Sequence, residues 1–303
     1  MLEMQNIFQR KKWIVTFALI AVISWGMAFP LIKIGFQEFA IANNDTAGKT
    51  LFAGVRFLGA GILTLLVAKG NRCSFEIKGM KNWGLLLFYG LINTALHYFC
   101  FYVGLSNCSG SKSAILDAMS TFLLIVFACM YFSDEHMTRN KIVGCLLGIS
   151  GIVILNIGNV SGTAFSLAGE GMLFLNSVFS AIGGILTRIV TKKVNAIVAT
   201  GISLSAGGIM LILLGVGMQG TVGQITPLGI SVLFLLMLVS VVGFTLYNQL
   251  LCYNPVSEIA IFNALIPIWG AILSCIILGE TFYVKYILAG ILVALGVYTV
   301  NRL

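Results

Sequence analysis

Three ionisable side chains stand apart from the other charges of the sequence, because Arg56, His97 and Asp117 each lie within an apolar run. Holding a charge at the centre of a bilayer costs about 2.5–3.5 kcal/mol on insertion scales, so a group retained there is a candidate for function. Asp117 has Ser113, Ser120 and Thr121 at helical spacings of three and four, which place all of them near one face. A half-buried carboxylate in that setting can carry a proton or receive a substrate ammonium. The structural alternative is a sealed pair with Arg56 or Lys112. The planar donor fork of Arg56 suits a substrate carboxylate, or else helix-end carbonyls or a carboxylate of a neighbouring helix. His97 sits in N-T-A-L-H-Y-F, with Asn93 one turn before it and Phe101 one turn after. It can relay a proton, bond a substrate, or simply pack against the next helix.

Uncharged residues give a softer pattern. Trp25, Tyr98, Tyr102, Tyr247 and Trp269 lie within apolar runs and not only at their ends, as walls for an amphipathic or cationic substrate would and as ordinary packing would too. Asn248, Gln249 and Asn263 can bond a substrate or hold helices together at about 0.6 kcal/mol each. Pro30 and Pro267 permit a kink or hinge. Gly144, Gly148 and Gly151 mark one helix for close approach, between the halves of the chain or across a dimer.

The elements that must position these residues follow from composition. Of the 303 residues 59% are hydrophobic and 9% charged, with a mean hydropathy of +1.02, whereas a soluble domain carries about 25% charged residues. A hydrocarbon core about 30 Å thick takes roughly 20 apolar residues per helix. Apolar runs fall at 13–32, 51–68, 83–104, 113–132, 141–158, 170–190, 196–217, 228–250, 258–278 and 284–301. They predict an all-α integral membrane protein of ten transmembrane helices. Turn residues such as Asn43-Asn44-Asp45, Ser133-Asp134-Glu135, Ser161-Gly162-Thr163 and Asn254-Pro255 separate them, and the weakest separator is Leu105–Ser113. The runs are continuous and not alternating, which excludes a spanning β-barrel. The first run is longer than a cleavable signal core and is expected to stay.

The net charge of +8 reports orientation and not a nucleic-acid partner, since no basic stripe interleaved with aromatics is present. Most of the Lys and Arg residues, among them Arg10, Lys11, Lys12, Lys69, Arg72, Arg139, Arg188 and Lys192, share the side of the N-terminus. Lys33, Lys49, Lys112 and Lys285 face the other side, so both termini are expected in the cytoplasm of a cell-membrane protein. The seven cysteines, Cys108 included, are scattered through apolar runs and read as small core residues, not as disulfides or metal ligands. There is no phosphate loop, nucleophile elbow, metalloprotease motif or dinucleotide loop, so no cofactor, metal or catalytic residue is expected.

The two halves repeat. Ser106–Asn156 aligns without gaps on Leu251–Asn301, an offset of 145 residues that sets Glu135 on Glu280 and Gly151 on Gly296. Five helices per half make the second copy enter from the opposite side, giving two inverted-topology repeats, 1–160 and 161–303. Such a pair suits alternating access around a midplane site. The same offset sets His97 on Val242 and Asp117 on Phe262, so the symmetry fails where the polar groups sit.

Trp25-Gly26-Met27-Ala28-Phe29, Arg56-Phe57, the degenerate helix ending Ser133-Asp134-Glu135 and the full Leu278-Gly279-Glu280 make the chain resemble the ten-helix EamA-type proteins of the drug/metabolite transporter superfamily. The resemblance covers nearly the whole chain. It implies secondary transport of small metabolites, amino acids among them, through a cavity lined by both halves, and no enzymatic activity. The expected function is export of amino acids or related amphipathic compounds, with proton coupling open, a small-molecule substrate and the lipid bilayer as partners, and a monomer or homodimer. The rival readings are an intramembrane enzyme on a lipid-linked substrate using Asp117 and His97, an importer of a vitamin or nucleoside-like metabolite, and a scaffold without activity.

Overall fold

A computed structural model describes residues 7–107, 110–156, 165–279 and 281–302, and the described residues contain helices and no strand. The helices are α1 (Lys11–Glu38), α2 (Thr46–Gly70), α3 (Met80–Asn107), α4 (Gly110–Tyr131), α5 (Arg139–Asn156), α6 (Leu167–Thr191), α7 (Ala196–Gly217), α8 (Pro227–Tyr253), α9 (Val256–Leu278) and α10 (Lys285–Val300). Seven of them are long and apolar enough to cross a membrane. Helices α4 and α10 add the shorter apolar stretches Leu116–Tyr131 and Lys285–Val300, and α5 adds 18 residues, about 27 Å at 1.5 Å per residue. The molecule is a multi-pass membrane protein, and its described residues form ten helices in two inverted five-helix repeats. Cys108, Glu280 and the Ser161-Gly162-Thr163 turn lie outside the described residues.

Local chemistry starts and stops these helices where water begins. Asp45 accepts the Gly48 amide at the head of α2, and Asn195 accepts the Ile197 and Val198 amides at the head of α7. Thr226 caps α8 just before Pro227, where a missing N–H costs nothing. Gly279 ends α9 in the left-handed region at φ 67°, the position for which glycine is preferred. Its counterpart in the first repeat is Asp134, which is not among the non-glycine residues of positive φ, so the shared helix ending closes differently in the two halves. Helix α1 runs six residues past the predicted end, to Glu38, whose carboxylate accepts from the Thr226 hydroxyl.

Two helices are irregular at depth. Helix α3 contains a π-helical stretch at Leu91–Leu96, and α9 contains a 3-10 stretch at Ile261–Leu265, followed by Pro267 in the first turn of the next α-helical segment. Pro30 lies inside α1.

The packing obeys the repeat. Helix α1 lies against α8 and α9 of the other half, while α6, its counterpart, lies against α3 and α4. Helices α2 and α7 pack on each other, as do their fellow counterparts α5 and α10. Both seams rest on glycine. A Cβ at Gly208 would lie 2.4 Å from the Leu58 amide nitrogen, and one at Gly54 would lie 2.6 Å from that of Ile212. A Cβ at Gly144 would lie 2.7 Å from the Gly296 carbonyl oxygen. Backbones this close are what small residues allow in a bilayer, where helices gain by contact and not by hiding from water. The Gly144-Gly148-Gly151 face is thus the contact between α5 and α10, with Gly151 opposed to Val293 and the Ala289 carbonyl.

Candidate functional site

Side chains from both halves converge in the middle of the bundle. His97, Tyr98 and Asp117 are surrounded by protein, yet each keeps part of its surface accessible within the bundle. Trp25, Asn263 and Trp269 are likewise only partly buried. The Tyr98 hydroxyl lies within Coulombic range of Arg56, Tyr102 and Asp117, which gathers three of the residues singled out by sequence around a fourth.

Asp117 Oδ1 accepts from Asn176 Nδ2 at 2.8 Å, and the neighbouring Ser177 hydroxyl donates to the Leu116 carbonyl. These bonds stitch α4 to α6. The structural alternative, a pair with Arg56, is not formed: Arg56 donates from Nε and Nη2 to Ser240 Oγ at 3.2 and 3.0 Å, and its guanidinium lies 5.0 Å from the Phe57 ring centroid. The alternative partner, the Lys112 side chain, lies outside the described residues. Asp117 makes no ion pair among the described residues. Arg56 is only 3% exposed and serves as a clamp between α2 and α8. The Tyr102 hydroxyl lies beside it but does not reach hydrogen-bond geometry.

His97 is oriented by its Nδ1, 3.2 Å from the Asn93 carbonyl oxygen, and by Tyr98, whose ring centroid is 4.4 Å away. Asp117 and His97 make no direct hydrogen bond with each other among the described residues; each is bonded instead to an asparagine, Asn176 and Asn93.

An aromatic wall links the halves. Tyr98 packs on Phe57 at 4.2 Å, Phe57 on Phe244 at 6.3 Å, and Trp25 on both Phe244 and Tyr247 at 5.1 Å. Asn263 Nδ2 donates to Tyr247 Oη at 2.9 Å. Among the described residues eight buried polar side-chain atoms lack a hydrogen-bond partner; two belong to residues of this wall or bonded to it, Trp25 Nε1 and Asn263 Oδ1, and a third is Asn176 Oδ1 beside Asp117. In the hydrocarbon region such atoms are costly unless a ligand or water meets them. Trp269 packs against Gly26, where an added Cβ would lie 2.7 Å from its own, and so fixes α1 to α9. Asn248 is placed elsewhere. Its Nδ2 donates to Thr200 Oγ1 at 2.9 Å and Tyr89 Oη at 3.2 Å, and Tyr89 also meets Thr187 Oγ1 at 2.9 Å. That buried network ties α3, α6, α7 and α8.

Sequence reasoning passed over Asn176, Ser240 and Phe244, and read Phe57 only as part of the Arg56-Phe57 motif. Asn176 was findable, since it is an amide inside an apolar run like Asn248 and Asn263. Another crevice, lined by Ser24, Met27, Leu31, Leu235 and Val242 between α1 and α8, is apolar and holds none of these groups.

At one edge of the bundle a charged cluster binds the halves. Glu135, 2% exposed, accepts from Arg188 Nη1 at 3.0 Å, from the Val256 and Ser257 amides at 2.7 and 2.9 Å, and from the Ser257 hydroxyl. The carboxylate of the first half thereby caps the N-terminus of α9 in the second, where the helix dipole favours negative charge. Arg188 also reaches Asp134 Oδ2 at 2.5 Å and lies over the Phe132 ring at 4.4 Å. The Arg188 hydrogen bond holds the Asp134 carboxyl below the usual carboxylate range.

Residues 12–157 and residues 167–302 each match the EamA-like transporter family, one match in each half. The chain belongs to the EamA-like transporter family. This EamA-like chain is 24% identical over 282 residues to an uncharacterized transporter of Bacillus subtilis, covering 92% of this chain and 88% of that one. It is 22% identical over 292 residues to a protein of Salmonella typhimurium named a probable amino-acid metabolite efflux pump, covering 93% and 92%. A crystal structure 12% identical in sequence superposes with a TM-score of 0.77 over 94% of this chain and 95% of its own, a likeness of fold alone. The EamA-like chain is therefore a membrane transporter, and its halves pack as inverted repeats around the aromatic wall.

Proposed function

We propose that the chain exports small amphipathic metabolites bearing an amino group, amino acids among them, by alternating access across the cell membrane. The observation that carries this reading is Asp117, a carboxylate partly accessible within the bundle, with one oxygen held by Asn176 and no ion-pair partner among the described residues. An unpaired carboxylate in a bilayer is stable when it holds a proton or an external cation, so the proton and the substrate ammonium compete for one group. The partnerless Asn176 Oδ1 and Asn263 Oδ1 add acceptors for ammonium hydrogens, and Trp25, Tyr98, Tyr102, Tyr247 and Trp269 supply the surroundings for an apolar side chain. The outward direction is taken from the name of the Salmonella relative. The excess of Lys and Arg on the N-terminal side supports cytoplasmic termini, the two family matches support division into repeats 1–160 and 161–303, and a monomer suffices because one chain supplies both halves.

Proteoliposomes loaded with labelled phenethylamine, phenylalanine or 3-phenylpropionate test the reading. Efflux of the two amines driven by an external acid pH, with phenylpropionate retained, is the expected result. Transport of phenylpropionate in preference to both amines overturns it.

A further inference from the structure

The π-helical stretch of α3 determines what His97 offers within the bundle. In an α-helix the Asn93 carbonyl would receive the backbone N–H of His97, four residues on. Here the His97 N–H points back to the Ile92 and Thr94 carbonyls instead, and the Asn93 carbonyl faces the imidazole, with Nδ1 at 3.2 Å. A carbonyl has no proton to give, so Nδ1 carries the hydrogen and donates it. The unprotonated nitrogen of the neutral ring is then Nε2, which has no hydrogen-bond partner among the described residues. The ring is stacked on Tyr98 with an interplanar angle of 30°, and Tyr98 is backed by Phe57. The stretch is itself pinned by α7, since a Cβ at Gly207 would lie 2.3 Å from Thr94 Cβ and one at Gly90 would lie 3.0 Å from the Ser203 carbonyl oxygen. Interruptions of this kind are frequent at functional sites.

We propose that His97 is a specificity-determining residue whose Nε2 lone pair, fixed by the Asn93 carbonyl, accepts a hydrogen bond from the substrate and so selects compounds with an N–H donor over fully alkylated cations. The inference rests on the amine-transport reading above. Asp117 and the aromatic wall attract positive charge whatever its substituents, for a carboxylate and a ring face act on charge without requiring a hydrogen. A directed lone pair recognises the hydrogen itself. Asn176 Oδ1 and Asn263 Oδ1 are further acceptors, so the share due to His97 is read from its own variants.

Two measurements decide the matter. The chain has two histidines, His97 and His136, so an N-15 histidine spectrum of the whole protein in nanodiscs at pH 8 is assigned with one variant. The expected His97 signals are a protonated Nδ1 and a bare Nε2, with Nε2 shifting when phenethylamine is added. A protonated Nε2, or a shift confined to Nδ1, overturns the proposal. In proteoliposomes the wild type is expected to favour phenethylamine over its N,N,N-trimethyl analogue by on the order of tenfold, the worth of one hydrogen bond to a charged group. His97→Phe brings that ratio to about one while still carrying the trimethyl compound, which shows it folded, and His97→Gln, which keeps an acceptor, retains part of the preference. A ratio unchanged in His97→Phe overturns the assignment. If the wild type carries neither amine, the transport reading falls, and the tautomer and the Nε2 shift still decide the role of His97.

Discussion

A carboxylate and a guanidinium in the same membrane interior would ordinarily be expected to find each other, yet Asp117 and Arg56 are bonded apart, to Asn176 and to Ser240. In the proposed mechanism this separation matters, because a carboxylate sealed against Arg56 has nothing to exchange. Replacing it with asparagine keeps the Asn176 bond and removes the charge. Asp117→Asn is therefore expected to abolish stimulation of amine efflux by a pH gradient while exchange of substrate for substrate persists, as read in proteoliposomes at a series of external pH values. Unchanged pH dependence would remove Asp117 from coupling. Tyr89 has the opposite character. Its hydroxyl is enclosed by Thr187 and Asn248 and supports the helices, so Tyr89→Phe is expected to lower unfolding stability in mixed micelles by about 0.6–1.7 kcal/mol without altering substrate preference. Sequence singled out Asp117, His97 and Arg56 as rarities, because an ionisable residue type inside an apolar run is visible without the fold. It could not say which would be tied down, since partners such as Ser240 lie far along the chain.

Helices in this bundle are joined by two kinds of contact, and each fails in its own way. At the α2–α7 seam the limit is steric: a methyl at position 208 meets the backbone of Leu58, which cannot move as a side chain can. Gly208→Ala is expected to cost about 1–3 kcal/mol, seen as a lowered melting temperature in detergent. Gly84→Ala, on α3 with nothing within 4 Å, should be neutral or stabilising by up to about 1 kcal/mol. At the α4–α5 turn the contact is ionic. Glu135→Ala leaves the buried Arg188 and the first amides of α9 without their anion, and an expected loss of about 3–5 kcal/mol follows from stranding a buried charge. Asp134 is more than half exposed and its loss costs little, but it confers pH dependence. Because the folded carboxyl lies below the unfolded one, its contribution is fully present above about pH 4 and disappears as the pH falls through the folded value. Melting temperatures at pH 6 and pH 3 should therefore differ less in Asp134→Asn than in the wild type. The ten elements were legible because transfer to hydrocarbon is a sum over neighbouring residues. The π stretch of α3 and the 3-10 stretch of α9 were not, for they answer to Gly207 on α7 and to packing around Asn263, contacts that hydropathy does not register.

At the scale of the molecule the repeat produces a bundle in which α1 and α6 each reach across to the other half, and α2–α7 and α5–α10 close it with their own counterparts. An inverted pair packed this way can exchange the roles of its halves, which is the geometric basis of opening to one side or the other. Orientation makes a further prediction: a fluorescent protein fused after Leu303 should fold and fluoresce on the cytoplasmic side, whereas an alkaline phosphatase fusion at the same place should be inactive. The reverse pattern would overturn the cytoplasmic placement of the termini. The chain order of spans, the asymmetry of Lys and Arg and the 145-residue repeat were all present in the sequence by itself, since each is additive along the chain or a comparison of the chain with itself. The tertiary structure alone decided that Arg56 clamps Ser240, that Asn248 belongs to a scaffold network, that Asp117 is held by Asn176 and not by Arg56, and that Glu135 caps a helix more than a hundred residues away. Those outcomes depend on how each helix is rotated and where it crosses its neighbours, and a pattern read one helix at a time contains neither quantity.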